Sequence, residues 1–362
     1  MEEALVLKLF VGYQLCNDDS FLRCILAQRE KIGEVYFSWD TMPSGRSAVG
    51  LHQDLFPWEA AKRQRDELQA IADAGIGLNL LLNANCYGGQ SLARSFFQTT
   101  GDLVNYLCEQ MNLVSVTTTS PVIGRFVREN FPQLEVRASV NMEIGSEEGM
   151  EYLGDCFTSF YAKRELNRDI PALQRLRRWC DAHGKKLDLL ANSGCLNNCS
   201  ARQFHDNLVA HEQEIAKMDN AFEFHSVCRQ YLASPEHRAA ILRLSNWIRP
   251  EDLHHYEDLA DGVKLATRTS PNPVQTLLAY TSGRYEGNML DLLEPNYANI
   301  FYPAVLDNTA FPPDYFAVRH NCSHDCGSCG YCVRIYQTIL RALPDIMLAD
   351  NDMDTQEEKE KC

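Results

Sequence analysis

The chain has 362 residues, of which 45% are hydrophobic and 23% charged, so it holds enough apolar material for a large core. No apolar run approaches the roughly 20 residues that a membrane-spanning helix needs, and the N-terminus lacks the basic start of a signal peptide. A formal charge of -15 argues against a general nucleic-acid-binding surface. We therefore expect a cytoplasmic protein without membrane insertion.

Short apolar runs of β type alternate with helical patterns from the first residues to about position 270. Five segments between these runs have helical spacing: Trp58–Ala74, Asp102–Met111, Val122–Asn130, Glu147–Leu153 and Ile170–His183. The eight runs are about Leu5–Val11, Glu34–Trp39, Gly77–Leu82, Leu113–Thr117, Glu135–Val140, Cys156–Ala162, Lys186–Ala191 and Gly262–Ala266. Eight strands that alternate with helices predict an α/β fold, a (β/α)8 TIM-type barrel.

The composition changes along the chain and predicts three units. Residues 1–300 form the barrel, with an insertion at about 200–246 that is too long for an ordinary connection. After Pro295 the sequence becomes aromatic and proline-bearing, which predicts a small cysteine-rich C-terminal module over 301–345. Residues 346–362 are rich in Asp and Glu, so we expect a disordered acidic tail.

Polar and charged residues follow the predicted strands, where the active site of such a barrel lies. They are Tyr13, Asp40, Asn83, Asn85, Thr118, Asn141, Glu143, Arg164, Glu165, Asn192, Lys264 and Arg268. We take Arg164, Glu165, Lys264 and Arg268 as the candidate catalytic residues, since Arg and Lys pair with the carboxylate or phosphate of an anionic substrate. The alternative for Arg164, Lys264 and Arg268 is a structural salt bridge to a neighbour such as Glu165 or Glu143.

Four cysteines lie within eleven residues near the C-terminus: Cys322, Cys326, Cys329 and Cys332. Thiolates at this CxxxCxxCxxC spacing can converge on one centre, either an iron–sulfur cluster or zinc. A compact run resembles cluster-binding loops, whereas cysteine-rich modules commonly hold structural zinc, for which His324 could replace one thiolate. We favour a second iron–sulfur cluster and keep zinc as the alternative.

A second pair, Cys195 and Cys199, directly follows the seventh strand in Cys195-Leu-Asn-Asn-Cys199. Two thiols need at least one further ligand to hold a cluster, and Cys180 or Cys228 could supply it. Cys180 has the equal alternative of a buried apolar residue.

The other cysteines have no such spacing, and we interpret them as packing or incidental thiols: Cys16, Cys24, Cys86, Cys108, Cys156 and Cys362. The sequence contains neither a His-Glu-x-x-His nor a Gly-x-Ser-x-Gly motif. We also find no Cys–His arrangement that stands out among fourteen cysteines and ten histidines. A proteolytic centre is therefore not evident in the residues.

Three segments together resemble peptidase family U-32, the collagenase-like proteases. They are Leu189-Leu-Ala-Asn-Ser-Gly-Cys-Leu-Asn-Asn-Cys199, Tyr161-Ala-Lys-Arg-Glu-Leu-Asn167, and Ile248-Arg-Pro-Glu-Asp-Leu-His-His-Tyr256 leading to Gly262-Val-Lys-Leu-Ala-Thr-Arg268. The resemblance covers about residues 1–270. It implies that the first segment binds iron and sulfur and that the other two end barrel strands. The family also includes RNA hydroxylation proteins and the paired proteins of oxygen-independent ubiquinone hydroxylation, which carry a 4Fe-4S cluster.

Carried over by position, Cys195 and Cys199 match the CxxxC of the family, and Cys180 matches an upstream cysteine of the ubiquinone-type members. The loop after the second strand lacks the cysteine that one such member uses, and other members use a downstream ligand, which points to Cys228.

The resemblance implies a redox or hydroxylation enzyme with one 4Fe-4S cluster, or two, that acts on an anionic substrate. The substrate would be a small molecule or a modified RNA, and an electron donor protein would be a partner. Two alternatives stay open: a peptidase, as the family name implies, and a non-catalytic cluster-bearing electron carrier.

Overall fold

Eight parallel strands close into a barrel in chain order in the computed structural model, which describes residues 7–39, 42–45, 55–323 and 325–342. β1 pairs with β2 on one side and with β8 on the other, which completes the ring. The strands are β1 (Lys8–Gly12), β2 (Ile32–Phe37), β3 (Gly77–Leu82), β4 (Leu113–Thr118), β5 (Glu135–Ala138), β6 (Ser159–Tyr161), β7 (Lys186–Leu190) and β8 (Gly262–Leu265). The predicted eight-stranded α/β barrel is confirmed.

Helices follow the strands and cover the outside of the barrel. These are α1 (Ser20–Ala27), α2 (Pro57–Asp73), α3 (Arg94–Gln110), α4 (Pro121–Asn130), α5 (Glu147–Glu151), α6 (Ile170–His183) and, after β8, α11 (Pro273–Ser282). The insertion between β7 and β8 carries α7 (Arg202–Ala210), α8 (Glu212–Ile215), α9 (Val227–Ala233) and α10 (Ala240–Leu244). The C-terminal segment adds α12 (Ala298–Phe301), α13 (Tyr315–His320), α14 (Tyr331–Ile339) and an antiparallel pair, β9 (Ala304–Leu306) with β10 (Leu340–Ala342).

Local signals fix the ends of α6, and tertiary contacts shorten β6. The Asp169 side chain accepts a hydrogen bond from the Ala172 N–H at the start of α6, and Gly184 ends the helix with a φ of 60°. β6 begins three residues later than predicted, because Cys156 N–H and Phe157 N–H both donate to Leu153 O in the turn that follows α5.

Four apolar clusters lie in the described part of the chain, and the two largest form its main cores. The first packs the outer faces of the strands against the helices and includes Val35, Leu80 and Leu173. The second joins the insertion to the C-terminal segment, with Ile241 packed in the same cluster as Ile339. The proposed boundaries between barrel and C-terminal module stay a prediction.

Four of the sequence predictions fall on residues outside the described ranges: the acidic tail at 346–362, Cys362, the strand-end residue Asp40 and the alternative zinc ligand His324. No helix among the described residues is long and apolar enough to cross a membrane.

A buried charged layer fills the lower part of the barrel interior. Arg137 on β5 forms an ion pair with Glu34 on β2, and its Nε lies 2.9 Å from Asp188 Oδ2 on β7. Ser115 Oγ donates to Glu34 at 2.8 Å, and Ser159 Oγ donates to Asp188 at 2.6 Å. These contacts tie strands on opposite sides of the barrel together beneath the carboxyl-end rim.

Candidate active site at the carboxyl end of the barrel

Lys264 on β8 points into the barrel, in register with Phe10 of β1 and Leu190 of β7. It is 8% exposed, and its Nζ lies 3.9 Å from the ring centre of Tyr36 and 5.5 Å from that of Tyr161. Burial, followed by the charge of nearby Arg268, lowers the pKa of Lys264 to about 7. At neutral pH the amine is therefore present in both charge states, able to pair with an anion or to accept a proton.

Arg268 lies four residues beyond Lys264 and crosses the ends of the first two strands. Its Nη2 donates to Ser38 Oγ at 2.7 Å. A Cβ on Gly12 would lie 2.8 Å from Arg268 Cγ, so the absence of a side chain at the end of β1 leaves room for the arginine. The structure therefore brings Lys264 and Arg268 to the same mouth of the barrel.

Arg164 and Glu165 join one ion-pair network at the rim. Arg164 Nη1 lies 2.7 Å from Glu143 Oε1, and its Nη2 donates to Asn141 Oδ1 at 2.8 Å. Glu165 Oε1 lies 3.2 Å from Nη1 of Arg202, which also contacts both Glu143 oxygens at 3.0 Å. The salt bridge considered as the alternative for Arg164 is thus present, and Glu165 has an ion pair that the sequence did not indicate.

Sequence reasoning missed Arg202, the residue that holds this network together. It lies at the start of α7 in the insertion, three residues beyond Cys199. Besides the two glutamates, its Nη2 donates to Leu196 O at 3.1 Å. Arg202 therefore links the cysteine loop to the rim. Its position three residues after Cys199 was the feature of the sequence from which it could have been predicted.

The loop after β7 is paired with a distant segment that precedes α12. Gly194 N–H donates to Glu294 O at 2.8 Å, and Glu294 N–H donates to Asn192 O at 2.9 Å. A Cβ on Gly194 would lie 2.6 Å from Pro295 O, so this close approach requires glycine. The Tyr297 hydroxyl also donates to Gly194 O at 3.1 Å, which anchors the start of the cysteine loop.

Tyr297 lies beside both Cys195 and Cys228. Burial and then the neighbouring Cys228 and Cys195 thiols raise the pKa of the Tyr297 phenol well above its usual range, and its side chain hydrogen-bonds with Cys228. Cys228 Sγ also lies 3.0 Å from Ser226 Oγ. Cys199 follows Cys195 by four residues in the same loop. The fold thus brings Cys228, from the start of α9, to the loop that carries the other two cysteines.

Cys180 lies at the opposite end of β7 from this group. Its Sγ is 3.7 Å from the carbonyl oxygen of Lys186, the first residue of β7, whereas Cys195 follows the end of that strand. The four rises of about 3.3 Å between the first and last residues of this five-residue strand separate its ends by about 13 Å. Cys180 is fully buried, and burial raises its pKa to about 12. The structure does not bring Cys180 to the other cysteines.

The four C-terminal cysteines lie near one another at the start of α14. Burial raises the pKa of Cys332 to about 11. The nearby charge of Arg168 lowers this pKa, whereas the neighbouring thiols of Cys322, Cys326 and Cys329 raise it further. Cys332 packs against the second apolar core, whereas Cys329 is exposed. Within the described ranges no three His, Cys, Asp or Glu side chains adopt metal-ligand geometry.

Two cavities flank the barrel. One of about 260 Å³ lies at the carboxyl-end rim, lined by Asn85, Tyr87, Thr119, Ser120, Asn141 and Met142. The other, of about 770 Å³, lies between α11 and the segment before β2, where Gln28 and Lys31 line it. Because that segment precedes a strand, the larger cavity belongs to the amino end of the barrel and is separate from the residues described above.

Comparison with known proteins gives two informative likenesses. The uncharacterized protease MJ1657 of Methanocaldococcus jannaschii is 25% identical over 279 residues, which cover 74% of this chain and 78% of that protein. The structure of the U32 peptidase Mk0906 superposes with a TM-score of 0.51 at 13% identity, covering 71% of this chain and 91% of that one. No protein-family model matches the chain. The chain is thus similar in sequence to a protein named as a protease and shares its barrel fold with a U32 peptidase, which supports the resemblance to the U32 family.

Proposed function

We propose that this chain is an iron–sulfur enzyme that acts on an anionic substrate at the carboxyl end of its barrel. The observation that carries the proposal is the position of Tyr297 beside Cys195 and Cys228. These thiols come from different segments of the chain and lie on the rim that also carries Lys264 and Arg268.

Cys195, Cys199 and Cys228 are the residues that would hold a 4Fe-4S cluster at the rim. Thiolates are the ligands that iron–sulfur clusters use, and the three lie in one loop and the helix packed beside it. A bound cluster would supply electrons or a Lewis-acidic iron, which side chains cannot provide. Our proposal omits Cys180 because its sulfur lies beside Lys186, at the other end of the strand.

Cys322, Cys326, Cys329 and Cys332 are the residues that would hold a second centre. Their mutual proximity around Cys332 supports this assignment. The second centre is either another iron–sulfur cluster, which the compact spacing favours, or zinc.

Lys264 and Arg268 would bind the anionic group of the substrate. Lys264 faces the rings of Tyr36 and Tyr161, which exclude water from its amine and strengthen its attraction for an anion. The hydrogen bond from Arg268 to Ser38 orients the guanidinium at the end of β2. Arg164 and Glu165 would act as positioning residues, since their ion pairs hold the rim and the cysteine loop in place.

The remaining parts of the proposal rest on the sequence. The substrate is a small molecule or a modified RNA, an electron donor protein is a partner, and the protein works in the cytoplasm. Peptidase activity is the alternative that the family name implies, and a non-catalytic electron carrier is the second alternative.

Anaerobic purification followed by iron, sulfide and zinc analysis tests the proposal. We expect visible absorbance, with about four irons and four sulfides per cluster. Cys195→Ser should lose one cluster's worth of iron, because the hard serine oxygen is a poor substitute for thiolate. Cys108→Ser is the matched control, since Cys108 lies on α3 and is hydrogen-bonded by Gln133. Iron that is absent, or unchanged in Cys195→Ser, would overturn the assignment.

The same iron analysis tests whether Cys228 or Cys180 is a ligand of the cluster. Cys228→Ser should lose as much iron as Cys195→Ser, whereas Cys180→Ala should keep it. Loss of iron from Cys180→Ala in a variant that retains its circular dichroism would contradict our choice of ligands.

A further inference from the structure

Cys86, His211 and Glu214 form a hydrogen-bonded chain of side chains at the rim. Cys86 follows β3, and its thiol hydrogen-bonds with the His211 side chain at the end of α7. His211 Nδ1 lies 2.8 Å from Glu214 Oε2 on α8. Because Nδ1 faces the carboxylate, the other ring nitrogen is left for the thiol. This order of thiol, imidazole and carboxylate is the arrangement that activates a cysteine nucleophile.

The backbone around Cys86 keeps the histidine close to the thiol. Gly88 N–H donates to Cys86 Sγ at 3.4 Å. A Cβ on Gly88 would lie 3.9 Å from His211 Cε1, so the imidazole ring lies next to this turn. The turn has a φ of 55° at Gly88, a conformation that favours glycine.

The contacts among these three side chains favour a negatively charged Cys86 thiolate beside a positively charged His211 imidazolium. Hydrogen bonds from His211 and from Gly88 N–H lower the pKa of Cys86, and the bonds to Cys86 and Glu214 raise the pKa of His211. A thiolate beside an imidazolium is more populated here than in an isolated cysteine. By contrast, burial raises the pKa of Cys108, Cys180 and Cys332.

A substrate can reach this thiol. Gly88 and Gly89 are exposed, and no atom of the described residues lies within 4 Å of a Cβ placed on Gly89. The residues on either side of Cys86, Asn85 and Tyr87, line the rim cavity of about 260 Å³. Asn85 Oδ1 is buried without a hydrogen-bond partner among the described residues, so it is available to accept a hydrogen bond from a bound group.

We propose that Cys86 is the nucleophile of an acyl-transfer site, with His211 as its base and Glu214 as the residue that positions the histidine. The substrate class is an acyl compound, an ester or an amide, whose carbonyl enters the rim cavity beside Asn85 and Tyr87. This activity is separate from the proposed iron–sulfur function and needs no cluster. It would replace the sequence-based interpretation of Cys86 as a packing or incidental thiol.

The reaction is balanced with water alone. Cys86 Sγ attacks the carbonyl carbon, the C–S bond forms, and the bond to the leaving oxygen or nitrogen breaks with its electron pair on the leaving group. The imidazolium of His211 gives its proton to that group. Water, deprotonated by the neutral imidazole, then attacks the thioester, which releases the carboxylic acid and regenerates the thiol.

Two measurements on the full-length, anaerobically purified protein test this proposal. The first is the rate at which iodoacetamide alkylates each cysteine, followed by peptide mass spectrometry at about pH 6, where an ordinary thiol is about 0.3% ionised. We expect Cys86 to react at least about tenfold faster than Cys108. His211→Asn should bring the rate at Cys86 down to that of Cys108, and Glu214→Gln should lower it by less.

The second measurement is acyl transfer from p-nitrophenyl acetate, with p-nitroacetanilide as the amide counterpart. We expect a burst of p-nitrophenol with one acetyl group on Cys86, and loss of both in Cys86→Ser. Release from the anilide as well would identify an amide-cleaving site, and release from the ester alone an esterase-type site; each supports the proposal.

Two outcomes would overturn it: alkylation of Cys86 no faster than that of Cys108, or fast alkylation without acetylated Cys86. Iron content is measured on the same samples, so failure of this site and failure of the cluster assignment are distinguished. Cys86→Ser should retain the iron of the unmodified protein, and the control Cys108→Ser should retain both the iron and the burst.

Discussion

Lys264 Nζ lies 3.9 Å above the ring of Tyr36 in the barrel interior, and no carboxylate forms an ion pair with it in the part of the chain that the structure describes. Arg268 contributes a further positive charge nearby, which disfavours the ammonium form. An unpaired amine in such a position destabilises the folded protein unless a bound anion compensates for it. We interpret this loss of stability as the consequence of a preformed binding site for an anionic group.

Lys264→Met should therefore stabilise the protein at low pH. The pKa of Lys264 falls from 10.5 to about 7 on folding, so its charge opposes folding fully below pH 7 and ceases to do so as the pH rises toward 10.5. We expect the free energy of unfolding of Lys264→Met to exceed that of the unmodified protein by about 2 to 4 kcal/mol at pH 6, with the difference vanishing near pH 10.5. Urea unfolding at a series of pH values measures it. Equal stability of the two proteins at pH 6 would contradict the assignment of a charge that opposes folding.

Anion binding should depend on the same amine. Inorganic phosphate should raise the melting temperature of the unmodified protein at pH 6, and the increase should shrink as the pH passes about 7, because the neutral amine no longer attracts the anion. Lys264→Met should lose this response. Lys62→Met is the control, since Lys62 is exposed on α2 and pairs with Asp66. A phosphate effect of the same size in both variants would place the binding site elsewhere.

Features that depend on neighbouring residues were predictable from the sequence. β3 and α6 have the predicted bounds, because an apolar run interrupted only by Asn79 defines the strand and Asp169 with Gly184 defines the helix. Each of these predictions needed only a short stretch of sequence. The ion pair between Arg164 and Glu143 was open as an alternative for another reason, since both residues follow predicted strands at the same end of the barrel.

Contacts made by the insertion were not predictable in the same way. Arg202 meets Glu143 and Glu165 at the rim, and His211 meets Cys86. These contacts join segments far apart in the chain, and no spacing in the sequence indicates them. The position of Cys180, by contrast, follows from the predicted fold. The helices of such a barrel run antiparallel to the strands, so a cysteine near the C-terminal end of α6 lies at the amino end of the barrel.

The buried charged layer should be essential for stability. Arg137→Met removes the cation that pairs with both Glu34 and Asp188, which are 3% and 0% exposed. We expect a loss of about 3 to 5 kcal/mol at pH 7, because two carboxylates lose their partner in the interior. The loss should diminish as the pH falls below about 7, since burial raises the pKa of Asp188 to about 7 and protonation removes this unpaired charge.

A second arginine variant shows whether the loss of stability in Arg137→Met comes from the buried layer or from the removal of any paired arginine. Arg177 on α6 pairs with Asp181 and Asp261 but is partly exposed, so Arg177→Met should cost about 1 kcal/mol or less. Chemical unfolding of both variants gives the comparison. A loss in Arg137→Met no larger than that in Arg177→Met would mean that the buried layer contributes little.

Substitution of the C-terminal cysteines tests whether these thiols bind a metal or only pack, because the two roles predict different effects for an exposed and a buried cysteine. Cys329 is exposed, whereas Cys332 packs against the second core beside Ile335 and Ile339. If the thiols act only through packing, Cys329→Ser should change stability by less than about 0.5 kcal/mol and Cys332→Ser by more. If all four hold one centre, both substitutions should remove the same amount of iron or zinc.

We expect the second result, with loss of metal coupled to loss of order in α14. Binding of a metal to four thiolates contributes on the order of 10 kcal/mol to the folding of a structural site, so either variant should forfeit most of that energy locally. Metal analysis gives the stoichiometry, and hydrogen exchange of the α14 amides reports the local stability, with α6 as the reference helix on the barrel. Faster exchange in α14 in both variants, with α6 unchanged, is the expected pattern. Unchanged metal content and exchange in Cys329→Ser would show that this cysteine is not a ligand and would end the case for a four-thiolate centre.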